Sequence, residues 1–147
     1  MSLTANAHSI PGTLRQEVLI DGKHLLVTDE PERLGGEGSG PAPHELLPAA
    51  LAACISTTLV LYARTKRWEL GDVWVSVDYD NHSSPRRFVI SVELNGNVSD
   101  EQLRRLEKVA ASCPLRRSIE SGFVFFETIA RRAAGLPGRL EHAGAGS

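Results

Sequence analysis

The sequence predicts an α+β fold with largely antiparallel sheets. The pair Asp21-Gly22 separates two apolar runs, and Asp-Gly in that position is a strong β-hairpin signal. Two later segments alternate apolar and polar residues with period two, as strands with one buried face do. The predicted order is strand, strand, helix, strand, strand, helix, strand. Helices therefore interrupt hairpins instead of following every strand, which favours antiparallel pairing.

Length and composition indicate one soluble domain. The chain has 147 residues, 41% hydrophobic and 23% charged, and we predict a single domain over residues 1–131 with a disordered tail over 132–147. The net charge of -2 argues against a nucleic-acid partner or an anionic membrane surface. The N-terminus has no basic start followed by an apolar run, so we expect no secretory signal and a cytoplasmic location.

The first half of the chain contains the predicted hairpin, a loop and a long helix. Residues 14–20 and 24–28 are the hairpin strands, and the following Gly-, Pro- and acid-rich stretch is a loop. The helix is rich in Ala and Leu and ends in basic residues that complement its C-terminus. Because proline is tolerated only in the first turn, Pro48 predicts that the regular helix begins near Leu47 and that residues 43–46 form a looser turn.

The second half contains three predicted strands and an amphipathic helix. The strands are residues 72–80, 86–96 and 123–130. The helix follows Ser99, a good N-cap, and Gln102 three residues later completes a capping-box pattern. Its apolar stripe consists of Leu103, Leu106, Val109 and Ala110, and Cys113 extends it.

The long helix contains an uncharged segment, residues 46–63, that has the length of a membrane span. Alanine contributes little to insertion, and the other elements form an amphipathic soluble fold that needs an apolar partner. We therefore predict no membrane partner. A chain of this size cannot cover such a helix on every side, so we predict an obligate homodimer that does.

The two cysteines are Cys54, inside the long helix, and Cys113. Neither belongs to a Cys-x-x-Cys pair, which disfavours a zinc site. A buried cysteine behaves as a small hydrophobe unless a nearby cation or helix N-terminus lowers its pKa. Both cysteines lie on inward-facing helical stretches, so packing could bring them together. From the residues alone, the two thiols can be either inert core residues or a redox-active pair.

Two segments resemble the OsmC/Ohr family of thiol-dependent peroxidases. "GPAPHELLPAALAACISTTLVLYARTKRWEL" is similar to the family's central helix, and "RLEKVAASCPLRRSI" resembles its second motif, a helix that ends in Cys-Pro. The region before the central helix, "HLLVTDEPERLGGEGSGP", resembles one uncharacterised-type OsmC subgroup. The resemblance covers roughly residues 14–130.

The resemblance implies a two-layer fold with two helices, in which the buried central helices of two intertwined subunits pack at the dimer core. Cys54 would be the peroxidatic cysteine and Cys113 the resolving one, at the subunit interface. The reaction would be the reduction of a hydroperoxide, in oxidative or osmotic stress defence. A dithiol reductant would then restore the thiols, and no metal, flavin or other cofactor would be needed.

The sequence departs from the peroxidase pattern before the first cysteine. The family's glutamate lies ten residues before it, where this chain has His44, and Glu45 follows one place later. Glu45 either serves Cys54 or acts as a favourable acid in the first helical turn. The activating arginine comes from the region before the helix, where Arg33 is our first choice and Arg15 the alternative. A catalytic role for His24 or His44 is the weaker hypothesis.

These departures keep a second functional class open. The alternative to a peroxidase is an OsmC-fold protein that binds an apolar small molecule or senses redox state, with little peroxidase activity. A Cys54 pKa that stays near the usual value of about 8.5 would favour this alternative.

Overall fold

The computed structural model describes residues 3–133 and confirms the α+β class. In this part of the chain, five strands form two antiparallel sheets, and three α-helices accompany them. The chain divides into two compact units. Among the described residues, one unit contains 3–46 and 126–133, and the other is Leu47–Phe125.

The first unit contains a three-stranded sheet in the order β1 (Ala5–Ser9), β2 (Gln16–Ile20) and β3 (His24–Thr28). The predicted hairpin is confirmed. Asp21 and Gly22 both have positive φ, 51° and 66°, as a tight type I′ turn requires. The strand β1 was not predicted, because its sequence "ANAHS" has no β-branched or aromatic residue. Pairing with β2 stabilises it instead.

The loop after β3 folds around the buried carboxylate of Asp29. One carboxylate oxygen accepts the N–H of Glu30 at 2.8 Å, and the other accepts the N–H of Glu37 at 3.1 Å and both the N–H and the hydroxyl of Ser39 at 3.0 and 2.8 Å. These hydrogen bonds, led by the Ser39 N–H, lower the pKa of Asp29 to about 2. A Cβ at Gly36 would overlap the Glu30 carbonyl, so only glycine fits this turn.

The second unit contains most of the long helix, a hairpin and two further helices. A short 3₁₀ helix, Pro43–Glu45, leads into α1 (Leu46–Lys66). The predicted start near Leu47 is therefore confirmed within one residue, with Pro48 in the first turn. The remaining elements are β4 (Val73–Asp80), β5 (Arg87–Leu94), α2 (Asp100–Ala111) and α3 (Pro114–Ser121). The strands β4 and β5 pair in antiparallel register, as predicted.

The core of this unit lies where α1 meets α2 and the hairpin. From α1, one stripe at four-residue spacing is fully buried: Leu51, Ile55, Leu59 and Ala63. Leu106, Val109 and Cys113 complete the buried cluster together with Leu70. Inward residues of the two strands pack against it: Val73, Val75, Val77, Phe88, Ile90 and Leu94. The packing follows the periodicities from which the elements were predicted.

The capping box of α2 is confirmed, but the prediction of two helices was wrong. The Ser99 hydroxyl accepts the Gln102 N–H at 3.2 Å, and the Gln102 side chain accepts the Ser99 N–H at 2.8 Å. A proline keeps the preceding residue out of helical geometry, so α2 stops before Cys113. Pro114 then starts α3, since a proline is well suited to the first position of a helix.

The prediction of a last strand over residues 123–130 was wrong for the single chain. This segment has no regular secondary structure, and its apolar side chains, Phe123, Val124, Phe125, Phe126 and Ile129, are exposed. A strand needs a neighbour to satisfy its N–H and C=O groups, and no described strand pairs with this segment. Most of the predicted tail, from residue 134 onward, lies outside the described residues.

The segment Pro43–Lys66 is long and apolar enough to cross a membrane by length and composition, and 22% of its most apolar window is buried. In each turn of α1 the residue on the core stripe is fully buried and its neighbours are less so. This is the pattern of a helix that packs along one face.

Candidate thiol site

The two cysteines lie side by side in the second unit. Cys54 is in the middle of α1, and Cys113 lies at the bend between α2 and α3. Their Sγ atoms are 2.9 Å apart, although 59 positions separate them in sequence. Both thiols are free. Packing of α1 against the end of α2 therefore forms the pair that the sequence allowed but did not require.

The two thiols differ in exposure. Cys113 is fully buried at 0% exposure, whereas Cys54 is only partly buried. A small oxidant that reaches this site from solvent meets Cys54 first. The exposure difference therefore agrees with the roles that the family resemblance implies for the two residues.

The surroundings of Cys54 shift its pKa in two opposite directions. Burial, and then the neighbouring Cys113 thiol, raise its pKa above the usual value. Hydrogen bonds from the Leu115 backbone N–H and the Thr58 hydroxyl lower the pKa, but the net direction is upward. Within the described residues, Cys54 is therefore not activated by its immediate neighbours alone.

The donors from Thr58 and Leu115 were missed in the sequence. Thr58 follows Cys54 by four positions, which on a helix is the neighbouring place on the same face, so spacing could have found it. The Leu115 N–H could not be found this way, because α3 was not predicted and its contact with α1 depends on tertiary packing.

The other candidate site residues lie in the first unit or at its end. Arg33 is exposed in the short 3₁₀ helix Glu32–Leu34, inside the loop that Asp29 holds. Arg15 is half-buried, and its Nε atom is buried without a hydrogen-bond partner in the described chain. Both His24, in β3, and His44 are exposed. The roles of these residues at Cys54 stay predictions.

Glu45 has a structural contact of its own. Its carboxylate accepts the N–H of Ala42 at 2.8 Å and so caps the 3₁₀ helix that precedes α1. This is the local role that a first-turn acid can have. A role for Glu45 at the Cys54 thiol also stays a prediction.

Two cavities lie beside α1 in the second unit. The larger has a volume of about 850 Å³ and is mostly apolar, with Ile55 and Leu59 from α1 facing Ile90 of β5 and Leu106 of α2. The smaller, about 340 Å³, lies between Leu51, Phe88 and the Arg116–Glu120 ion pair of α3. Neither cysteine is among the residues that line these two cavities. Among residues 3–133, no cluster of three or more His, Cys, Asp or Glu side chains could hold a metal ion.

Fold and site together define an α+β protein with a paired dithiol between helices. The family model described as OsmC-like protein matches residues 36–126, which is more than half of the chain. The chain therefore belongs to the OsmC family, which confirms the resemblance seen in the sequence. In this family of soluble proteins, α1 is a candidate core helix rather than a clear membrane span.

Solved structures of the family are similar to this chain. An organic hydroperoxide resistance protein OsmC from Legionella pneumophila is 26% identical, with a TM-score of 0.59, over 81% of this chain and 89% of that chain. An OsmC-like protein from Mycoplasma pneumoniae is 17% identical, with a TM-score of 0.68, over 82% of this chain and 88% of that chain.

A further solved structure carries the same fold. An organic hydroperoxide resistance protein from Elizabethkingia anophelis is 23% identical, with a TM-score of 0.57, over 80% of this chain and 86% of that chain. No protein with curated annotation matches the sequence.

Proposed function

We propose that this chain is a thiol-dependent peroxidase that reduces organic hydroperoxides in cytoplasmic stress defence. The observation that carries the proposal is the 2.9 Å separation of the Cys54 and Cys113 sulfur atoms. The 26% identity to the hydroperoxide resistance protein from Legionella pneumophila supports the substrate class.

The first step is attack of the Cys54 thiolate on the outer peroxide oxygen. A sulfur–oxygen bond forms, the oxygen–oxygen bond breaks, and the alkoxide takes up a proton and leaves as the alcohol. Cys54 is now a sulfenic acid. The Cys113 thiol attacks its sulfur, the disulfide forms, and water leaves. A disulfide needs the sulfur atoms about 2 Å apart, so only a short movement closes the bond.

Regeneration needs two electrons, which a dithiol reductant supplies. One of its thiolates attacks the protein disulfide, its second thiol displaces the resulting mixed disulfide, and both protein cysteines leave as thiols. Every step uses only the peroxide, the two protein thiols and the reductant thiols, so the proposal includes no metal, flavin or other cofactor.

Activation of Cys54 requires a positive charge near the thiol. Burial and Cys113 raise the pKa of Cys54, and a guanidinium nearby would reverse that direction. We assign this role to Arg33, with Arg15 as the alternative, and we assign to Glu45 the orientation of that arginine. These assignments rest on the family resemblance and on the position of the three residues before α1.

We also propose that the protein is an obligate, intertwined homodimer. Two features support it: α1 buries only one stripe in the single chain, and the aromatic segment after α3 is exposed. Exposed apolar surface of this kind favours association with a partner, and a second copy is the one that the family resemblance implies.

Stopped-flow oxidation of the reduced protein by cumene hydroperoxide and by hydrogen peroxide tests the peroxidase proposal. We expect rapid reaction with a preference for the organic hydroperoxide, and a Cys54–Cys113 disulfide in the mass spectrum of the product. Cys54→Ser should abolish the reaction. Turnover that survives this substitution would contradict the proposal.

Cys113→Ser separates the two steps. Its Cys54 should still consume one equivalent of hydroperoxide, and the sulfenic acid should persist long enough to be trapped by dimedone, because no second thiol condenses with it. A variant that forms no sulfenic acid, or one that keeps full turnover with a dithiol, would show that Cys113 is not the resolving cysteine.

The alternative is a small-molecule-binding or redox-sensing protein with little peroxidase activity. Two observations favour it: the raised pKa of Cys54 and the apolar cavity of about 850 Å³. It predicts slow oxidation by every hydroperoxide tested, together with saturable binding of an apolar fluorescent probe. Fast oxidation with no probe binding would exclude this alternative.

A further inference from the structure

We propose that Thr58 is a catalytic residue of the thiol site, whose hydroxyl donates a hydrogen bond to the Cys54 thiolate alongside the Leu115 backbone N–H. The inference deepens the peroxidase proposal and rests on it in one respect, namely that Cys54 is the thiol that reacts. It assigns thiolate stabilisation to two groups of the same compact unit.

The position of Thr58 on α1 gives its hydroxyl two possible acceptors. Thr58 lies one turn after Cys54 and is half-buried, and its Oγ1 donates to the Cys54 carbonyl oxygen at 2.7 Å. The hydroxyl has one proton, and this proton rotates to the better acceptor. A thiolate is that acceptor, since hydrogen bonds to a charged group are about twice as strong. The carbonyl keeps its main-chain partner in the helix when the proton turns away.

The Leu115 N–H acts on the same thiol from the N-terminus of α3, where the N-cap residue Cys113 has its sulfur 2.9 Å from that of Cys54. Cys113 is the N-cap of this eight-residue helix and Pro114 is its first residue, which has no N–H. Leu115 therefore carries the first N–H of the helix, and the early N–H groups have no acceptor within a helix. The effect of the Leu115 N–H on Cys54 is to lower the pKa of that thiol. The N-terminus of α3 is also the positive end of its helix dipole, which favours a thiolate near it.

The charges around Cys54 explain why these two donors matter. The ionisable group that acts on Cys54 is the Cys113 thiol, which, together with burial, raises the Cys54 pKa. The charged side chains in the first turns of α3 are Arg116, paired with Glu120 at 2.9 Å, and Arg117. Thr58 and Leu115 act in the opposite direction on the pKa, so loss of the Thr58 hydroxyl should reduce the thiolate population.

The test is the pH dependence of Cys54 alkylation in the reduced full-length protein, with iodoacetamide as the probe and peptide mass mapping to assign the site. Thr58→Val keeps the shape and removes the hydroxyl. We expect its alkylation pKa to rise by about 0.5 to 1 unit, so that the rate below the pKa falls roughly 3- to 10-fold. Thr58→Ala, which favours helix, is the second variant and should shift the pKa in the same direction.

Two matched controls separate a hydrogen bond from packing. Thr58→Ser restores the hydroxyl without the methyl group and should return the pKa to the wild-type value. Thr57→Val makes the same chemical change at an exposed neighbour and should leave the pKa unchanged. A wild-type pKa in Thr58→Val and Thr58→Ala would overturn the inference, and so would a Thr58→Ser variant that behaves like Thr58→Val.

The alkylation experiment is independent of peroxide chemistry. If the wild-type protein fails to react with hydroperoxides, the peroxidase proposal fails, while a shifted alkylation pKa in Thr58→Val still assigns the donor role to Thr58. If the wild type reduces hydroperoxides and the alkylation pKa does not shift, only the inference about Thr58 fails.

Discussion

Asp29 shows how a single buried carboxylate can order a loop. Its hydrogen bonds connect the end of β3 to Glu37 and Ser39, and the segment between these contacts carries Arg33, the proposed activator of Cys54. Three of the donors are the backbone N–H groups of Glu30, Glu37 and Ser39. Asp29 is therefore the residue on which the shape of this loop depends.

We predict that Asp29→Asn loosens the loop. The amide has one acceptor oxygen instead of two, so its NH₂ group must face backbone donors. Hydrogen exchange at neutral pH should become about tenfold faster or more at the Glu37 and Ser39 amides, because local opening costs less free energy. Asp21→Asn, at an exposed turn where asparagine is well tolerated, is the control and should leave these amides unchanged.

The lowered pKa of Asp29 fixes how the stability of the protein changes with pH. Because the folded-state pKa of Asp29 is lowered to about 2, its stabilising effect is present above the unfolded value of about 4. The effect is lost as the pH falls from about 4 through 2. The free energy of unfolding of the wild type should therefore fall more steeply over this range than that of Asp29→Asn. Equal slopes would contradict the role given to Asp29.

At the level of elements, α2 is defined by local signals at both ends. The Ser99 cap and Gln102 satisfy N–H groups that the helix leaves free, and Pro114 prevents its continuation beyond Cys113. The helix end fixes the place of the Cys113 thiol against α1. The same bend starts α3 and brings the Leu115 N–H to the site, so one Cys-Pro step positions two of the groups that act on Cys54.

We predict that Ser99→Ala lowers the free energy of unfolding by about 1 kcal/mol, the usual cost of losing an N-cap side chain. Urea denaturation measures it. Ser99→Asn is the matched control, because asparagine caps helices as well as serine does, and it should stay within about 0.5 kcal/mol of the wild type. If the alanine and asparagine variants are equally destabilised, the cap is not the reason.

For the whole molecule, the main feature of the single chain is apolar surface that it leaves uncovered. Leu61 in α1 and Phe125 after α3 are 54% and 79% exposed. A monomer with this much exposed apolar surface would tend to associate. The proposed homodimer accounts for this surface and for the failure of residues 123–130 to form a strand within one chain, since a second copy could supply the missing strand partner.

Sedimentation equilibrium tests the homodimer. The wild type should have twice the mass of the chain at micromolar concentration, and Leu61→Glu should weaken association at least tenfold, because it places a charge in the proposed interface. Asn97→Asp, at an exposed turn before α2, is the control and should stay dimeric. A monomeric wild type, or a Leu61→Glu variant that associates normally, would contradict the proposal.

The sequence by itself determined the elements whose signals are local. Asp21-Gly22 predicted the hairpin because the turn geometry depends on those two residues, and the period of Val73, Val75 and Val77 predicted β4 and its inward face. Cap residues and Pro48 predicted helix starts within about one residue. The family motifs around Cys54 and Cys113 also lie in contiguous segments, so family membership could be predicted before the fold was known.

Only the tertiary structure decided which of these segments meet. The strand β1 exists because β2 pairs with it, and residues 123–130 are not a strand because no strand among residues 3–133 pairs with them. The approach of the Cys54 and Cys113 sulfur atoms to 2.9 Å depends on helix packing that brings together two residues 59 positions apart. Neither propensity nor periodicity contains such distances, because both describe neighbours along the chain, whereas the reactivity of Cys54 depends on neighbours in space.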